Sequence, residues 1–188
     1  MRKIILTIFV VLILSSVAQA VEVNFGGFFG IRTVNDSVIK EIYGNGMVVC
    51  PALSLSLKNG FGIGVSYELY NRSGTVKPYN ELTRLKINGP EIFLSYAPSL
   101  GIVRPYVHAG YGFYSYKQTI ESEYLAGYAV NDKASGFLFA GGVGLKIVKP
   151  IYVFLEAKYV SLKVRPIEDE VDLGGWRFGG GIGISFGM

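Results

Sequence analysis

The sequence predicts an all-β protein, an eight-stranded antiparallel up-and-down transmembrane β-barrel. Apolar residues alternate with polar residues or glycine, with a period of two, over stretches about as long as the ~9–11 residues that a tilted strand needs to cross a bilayer. Eight such stretches succeed one another, joined by alternately long and short connections. The composition agrees. With 25 glycines, 13 tyrosines and 12 phenylalanines, more than a quarter of the chain is glycine or a large ring. That mixture suits sheet, not a helical bundle or a disordered tail.

The clearest stretch is Gly136 to Val164. Phe137, Phe139, Gly141, Val143, Leu145 and Ile147 alternate with Leu138, Ala140, Gly142, Gly144 and Lys146. After Lys149-Pro150, the row Val153, Leu155, Ala157 and Tyr159 alternates with Phe154, Glu156, Lys158 and Val160. One face of this hairpin is oily throughout; the other mixes glycine with charge. A soluble barrel would turn its oily side inward, whereas here only a closed lumen can hold the charged side.

Residues 1–20 read as a cleaved secretory signal peptide. Arg2 and Lys3 precede the apolar run Ile4 to Leu14, and Ala18-Gln19-Ala20 offers a small-residue cleavage site before Val21. Taking Arg2 and Lys3 from the 18 basic residues leaves 16 against 14 acidic ones, a charge of +2. So slight an excess gives no support for nucleic-acid binding. Beyond the N-terminus there is no unbroken apolar run of about 18 residues to form a helical span. The lone Cys50 has no partner for an internal disulfide and reads as a small buried residue.

In chain order, strand one covers Val21 to Arg32, with Phe25, Phe29 and Ile31 outward and Glu22, Asn24 and Arg32 inward. The loop Thr33 to Gly46 offers Asn35-Asp36-Ser37 as the cap of a short helical turn through Tyr43. Strand two, Met47 to Leu57, contains Pro51, which lacks a ladder donor and predicts a bulge or irregularity. Lys58-Asn59-Gly60 is a tight turn. Strand three is Phe61 to Asn71, and Arg72 to Asn80 follows as a loop.

Strand four, Glu81 to Ala97, changes phase. Leu85 and Ile87 are apolar on odd positions, Ile92, Leu94 and Tyr96 on even ones, and a bulge at Asn88-Gly89-Pro90 would reconcile them. Strand five is Pro105 to Gln118. The loop Thr119 to Ser135 is the longest and leads into the hairpin of strands six and seven. A last loop, Val164 to Asp172, is acidic, and strand eight runs from Leu173 to Phe186. Long loops after strands one, three, five and seven and short turns elsewhere match the outer-membrane arrangement, with the short turns in the periplasm.

Three local patterns sit on this frame: Glu41-Ile42-Tyr43-Gly44 before strand two, Arg104-Pro105-Tyr106-Val107 with Ala109-Gly110 in strand five, and the closing Gly181-Ile182-Gly183-Ile184-Ser185-Phe186. In these and in its topology the chain resembles the eight-stranded bacterial outer-membrane β-barrels of the OmpA-barrel-like and OmpX-like kind. The resemblance implies a monomer among outer-membrane lipids, assembled by the barrel-assembly machinery and periplasmic chaperones. It implies no cofactor and no enzymatic activity, with a structural or surface-contact role in the cell envelope. The alternative is transport or binding of a small hydrophobic molecule, as in the similar OmpW-like barrels.

The inward positions collect Glu68, Glu91 and Glu156 with Lys86, Lys158 and Arg177, and His108 lies among them. Unpaired charges are very costly in a narrow low-dielectric lumen, so these residues predict an ion-pair network, with Glu156 and Arg177 paired across the last two strands. His108 is the only histidine, near the short-turn end, and predicts an interior residue with a hydrogen-bonded partner. Neither it nor Cys50 has the neighbours a metal site needs. The acidic run Glu168 to Asp172 reads as a solvated loop in preference to a cation site, since a calcium loop needs more ligands in a fixed order. The glycines at 110, 112, 142, 144, 179, 181 and 183 read as inward positions too crowded for side chains.

Overall fold

A computed structural model describes residues 21–77, 80–121, 128–165 and 170–187. The elements in order are β1 (Val21–Arg32), α1 (Ser37–Tyr43), β2 (Gly46–Leu57), β3 (Phe61–Val76), β4 (Glu81–Tyr96) and β5 (Val103–Glu121). There follow β6 (Tyr128–Val148), β7 (Ile151–Val160), the two-residue strands β8 (Lys163–Val164) and β9 (Val171–Asp172), and β10 (Gly175–Gly187). Eight of them close into an antiparallel barrel in the order β1-β10-β7-β6-β5-β4-β3-β2, while β8 and β9 pair separately. The expected signal peptide lies outside the described residues.

The outward rows are those the alternation predicts. Leu155 is 72% exposed, Phe137 73% and Met47 70%, and Phe25, Ile63, Leu94 and Ile182 stand in the same band. Rings gather toward its edges: Trp176 lies 5.3 Å from Tyr159, and Phe61 4.8 Å from Tyr96. In water such a band would forfeit about 25 cal/mol for every Å² of apolar surface left uncovered.

Inward glycines let rings lie flat against the wall. A Cβ on Gly142 would meet the Tyr106 ring at 2.5 Å, one on Gly181 the Phe154 ring at 2.4 Å, and one on Gly183 the Tyr152 ring at 2.3 Å. The interior is thus crowded at those positions, though a Gly144 Cβ would find no heavy atom nearer than 3.5 Å.

Strand four does not contain the expected bulge. The pairs Tyr67↔Pro90 and Tyr70↔Ile87 share one register with β3, as Asn88↔Ser115 and Glu91↔Gly112 do with β5. What inverts is the environment. Leu85 and Ile87 point inward and are fully buried, whereas Ile92 and Leu94 point outward and are exposed. Within the band the outside is apolar and the lumen holds the charged side chains; above it the outward positions include Arg84 and Lys86, and Leu85 and Ile87 fill the lumen. Pro51 brings the expected irregularity without a bulge: pairing with β3 lapses at Cys50 and Pro51 and resumes in the same register at Ala52↔Ser66.

The same inversion explains two further departures. Arg72 to Asn80 and Thr119 to Ser135 are in large part strand, because β3–β4 and β5–β6 stay paired beyond the band, as in Val76↔Glu81 and Ile120↔Tyr128. Apolar alternation stops where lipid would stop, but backbone pairing does not. Four strands therefore project past the others on the long-loop side.

Helix α1 closes that end. Asp36 accepts from the amides of Val38 and Ile39 at 2.9 and 3.0 Å, and Gly44 ends the helix at φ 62°. Ile39 and Tyr43 turn down into an apolar cluster with Val48, Leu85, Ile87 and Leu173. The Tyr43 hydroxyl lies 2.6 Å from Thr83 Oγ1 and accepts from Gln118 Nε2 at 3.0 Å. Asp36→Ala should destabilise this cap by about 1 kcal/mol. The expected result is faster amide exchange at Val38 and Ile39, with protection in β1 to β7 and in β10 unchanged.

Within the acidic run, Glu168 and Asp169 lie outside the described residues. Glu170 accepts from Lys163 at 2.6 Å and Arg165 at 3.2 Å, and Asp172 accepts from the Gly174 amide at 2.9 Å.

Candidate functional site

The register sets cations and carboxylates on facing walls. Arg32 on β1 lies opposite Arg177 on β10, which lies opposite Lys158 on β7, so three neighbouring strands carry positive charge at one level. Glu68 on β3 and Glu91 on β4 approach from the other side. In a ring of eight, β4 stands diametrically across from β10.

Glu91 is the hub. One oxygen, Oε1, accepts from Arg177 Nη1 at 2.8 Å and from the Tyr114 hydroxyl at 2.8 Å. The other, Oε2, accepts from Lys158 Nζ at 3.0 Å and Ser66 Oγ at 2.6 Å. Glu68 pairs with both Arg32 and Arg177. Glu68, Glu91, Arg32 and Arg177 are at most 1% exposed, and Lys158 is 5% exposed. Arg32 also lies over the Tyr70 ring at 5.0 Å, and Arg177 over Tyr114 at 5.8 Å. Burial this deep is tolerable because each carboxylate meets two cations, which offsets the desolvation of both signs.

Glu156 sits one step nearer the short-turn end. Its carboxylate accepts from the Tyr106 hydroxyl at 3.0 Å and lies 3.8 Å from Lys158 Nζ. Glu156 and Arg177 share the inward face, as the alternation requires, but they do not pair. Arg177 sits beside Lys158 in the ladder, Glu156 beside Gly179, and the arginine reaches across the lumen instead. Lys86 does not join the network. It lies on the outward face of β4 above the apolar band, opposite Asn71 and Lys117.

His108 faces inward near the short turns, but its expected hydrogen-bonded partner is replaced by ring stacking. Phe93 and Tyr106 lie 4.5 and 4.7 Å from it, centroid to centroid, and Glu156 Oε2 is 3.9 Å from Nδ1, beyond hydrogen-bond reach. Ser95 is its ladder partner, yet Ser95 Oγ leans to the β3 side, 2.7 Å from where a Gly62 Cβ would stand. No serine–histidine hydrogen bond forms among the described residues. Cys50 is buried, 1% exposed.

Sequence reasoning left out Arg32, although its place at the inward end of strand one was visible. The donors Ser66 and Tyr114 come from the strands that flank Glu91: Ser66 is its ladder partner on β3, and Tyr114 stands two residues from its β5 partner Gly112.

No family model matches the chain, and no curated protein matches it by sequence. The fold is matched by solved outer-membrane proteins. Neisserial surface protein A is similar at 12% identity and a TM-score of 0.57, over 89% of this chain and 97% of that one. Ail, the attachment invasion locus protein of Yersinia pestis, solved with the heparin analogue sucrose octasulfate, shares 14% identity at 0.57, covering 89% and 99%. The N-terminal barrel domain of Pseudomonas aeruginosa OprF gives 16% and 0.55, covering 89% and 98%.

Proposed function

We propose that this chain, which has the fold of the eight-stranded outer-membrane β-barrels, is a small integral protein of the bacterial outer membrane with a structural or surface-contact role and no catalysis. One observation carries the reading: the lumen is tied shut by Glu91, held to Arg177 and Lys158 across the barrel. Above that tie, Tyr43, Leu85 and Leu173 fill the space. A molecule in transit would have to break buried ion pairs and then unpack an apolar core. That weighs against transport of a small hydrophobic molecule. The projecting strands β3 to β6 and the cap α1 are the parts available for contact outside the cell.

In this reading residues 1–20 direct export and are removed. Periplasmic chaperones and the barrel-assembly machinery insert the rest, which stands as a monomer among outer-membrane lipids, with the short turns in the periplasm. Single-channel recording in planar bilayers tests the closed lumen. The expected trace is flat at physiological salt, and stepwise openings would refute the structural role.

A further inference from the structure

The half of the barrel that carries the short turns is hollow. A cavity of about 510 Å³ opens at that end and stops beneath Lys158 and Glu156. Its volume falls in the range of ~300–1,000 Å³ usual for small-molecule sites.

The two sides of the cavity differ. One is a run of rings: His108 stacked between Phe93 and Tyr106, then Phe154 edge-on to Tyr106 at 6.3 Å and Tyr152 at 6.0 Å from Phe154. The other, on β2, presents Ala52, Ser54 and Ser56, whose small side chains leave the space open. The rim is basic. Arg104 is neutralised by Glu22 at 2.8 Å, but Lys146 and Lys149, also on the rim, make no ion pair among the described residues. A slot walled by rings on one side and by small residues on the other, behind two unneutralised ammonium groups, selects for shape and for charge together.

We propose that this cavity binds a small planar aromatic anion, with its rings against the Tyr106–His108–Phe93 wall and its carboxylate held by Lys146 and Lys149. The inference goes beyond the structural role and requires no passage through the barrel. Only the compartment that the rim faces rests on the membrane reading; the binding itself does not.

The test is a titration of the folded chain in lipid nanodiscs with 2-naphthoate, followed by amide NMR shifts and corrected against empty nanodiscs. The expected result is saturable shifts confined to the rim and to Tyr106, His108 and Tyr152. Neutral 2-naphthamide and the flexible anion decanoate should each bind at least tenfold more weakly. Ala52→Phe fills the slot without touching the ion pairs and should abolish the shifts. Lys146→Ala with Lys149→Ala changes only exposed side chains and should weaken binding about tenfold, so it carries the test if the filled variant does not fold.

Equal binding of naphthamide would overturn the role of the lysines, and equal binding of decanoate the role of the rings. Unsaturable shifts shared by native and filled protein would overturn the site. Naphthoate binding by a chain that proved not to sit in lipid would leave this inference standing and remove the membrane reading alone.

Discussion

Glu91→Ala should be the most damaging single substitution in the barrel, at about 3–5 kcal/mol, the usual cost of breaking a buried pair. It leaves Lys158 with only the distant Glu156 at 3.8 Å and Arg177 with only Glu68, and it strips the Tyr114 and Ser66 hydroxyls of their acceptor. The measurement is the urea midpoint in lipid, read from the fluorescence of Trp176, the single tryptophan. Glu91→Gln keeps shape and part of the hydrogen bonding, so it should lose less. The triple variant Glu91→Leu, Lys158→Met, Arg177→Met removes both signs together and should recover much of the loss, because most of the penalty is uncompensated charge. An unchanged midpoint in Glu91→Ala would mean that the ion pairs of Glu91 with Arg177 and Lys158 do not hold the barrel.

Leu155→Arg is the second large effect, and it probes the opposite face. Leu155 is 72% exposed, midway along β7, with Val143 and Gly180 beside it in the ladder. If lipid covers it, an arginine there costs about 2–4 kcal/mol, as at the midplane of a transmembrane barrel. If water covers it, the change stays within ~0.5 kcal/mol, as surface substitutions do. Leu82→Arg, outward on β4 but above the band, is the internal control and should be near neutral. Equal midpoints for the two arginine variants would contradict a lipid boundary between them.

What could be read from the chain follows from which solvent each side meets. A lipid boundary would impose one outward chemistry on every strand that crosses it, and the exposed Phe139, Leu155 and Ile184 carry that pattern locally. The same alternation put Glu68, Glu91, Glu156, Lys158 and Arg177 inward. It could not choose their partners: Arg177 meets Glu91 only because β10 and β4 become opposite walls once the ring closes.

Where the solvent changes along one strand, the pattern misleads. Leu85 and Ile87 share a strand with Ile92 and Leu94, and an unbroken register whose apolar face switches sides looks in sequence like a slipped one. The apolar Leu85 and Ile87 thus predict an inward Lys86, and the structure turns it outward. The capped turn ending at Tyr43 was legible because Asp36 and Gly44 act on their own neighbours. Its packing on Thr83 and Gln118 was not, since those residues arrive from β4 and β5.

Lipid tails that cover the apolar band must touch its side chains, and that contact can be measured directly. In nanodiscs, cross-relaxation from acyl-chain methylenes should reach the side chains of Leu94, Leu155 and Ile182 and be absent at Leu85, Ile87 and Val48. Acyl-chain signals at the second group, with water signals at the first, would show a barrel folded the other way out.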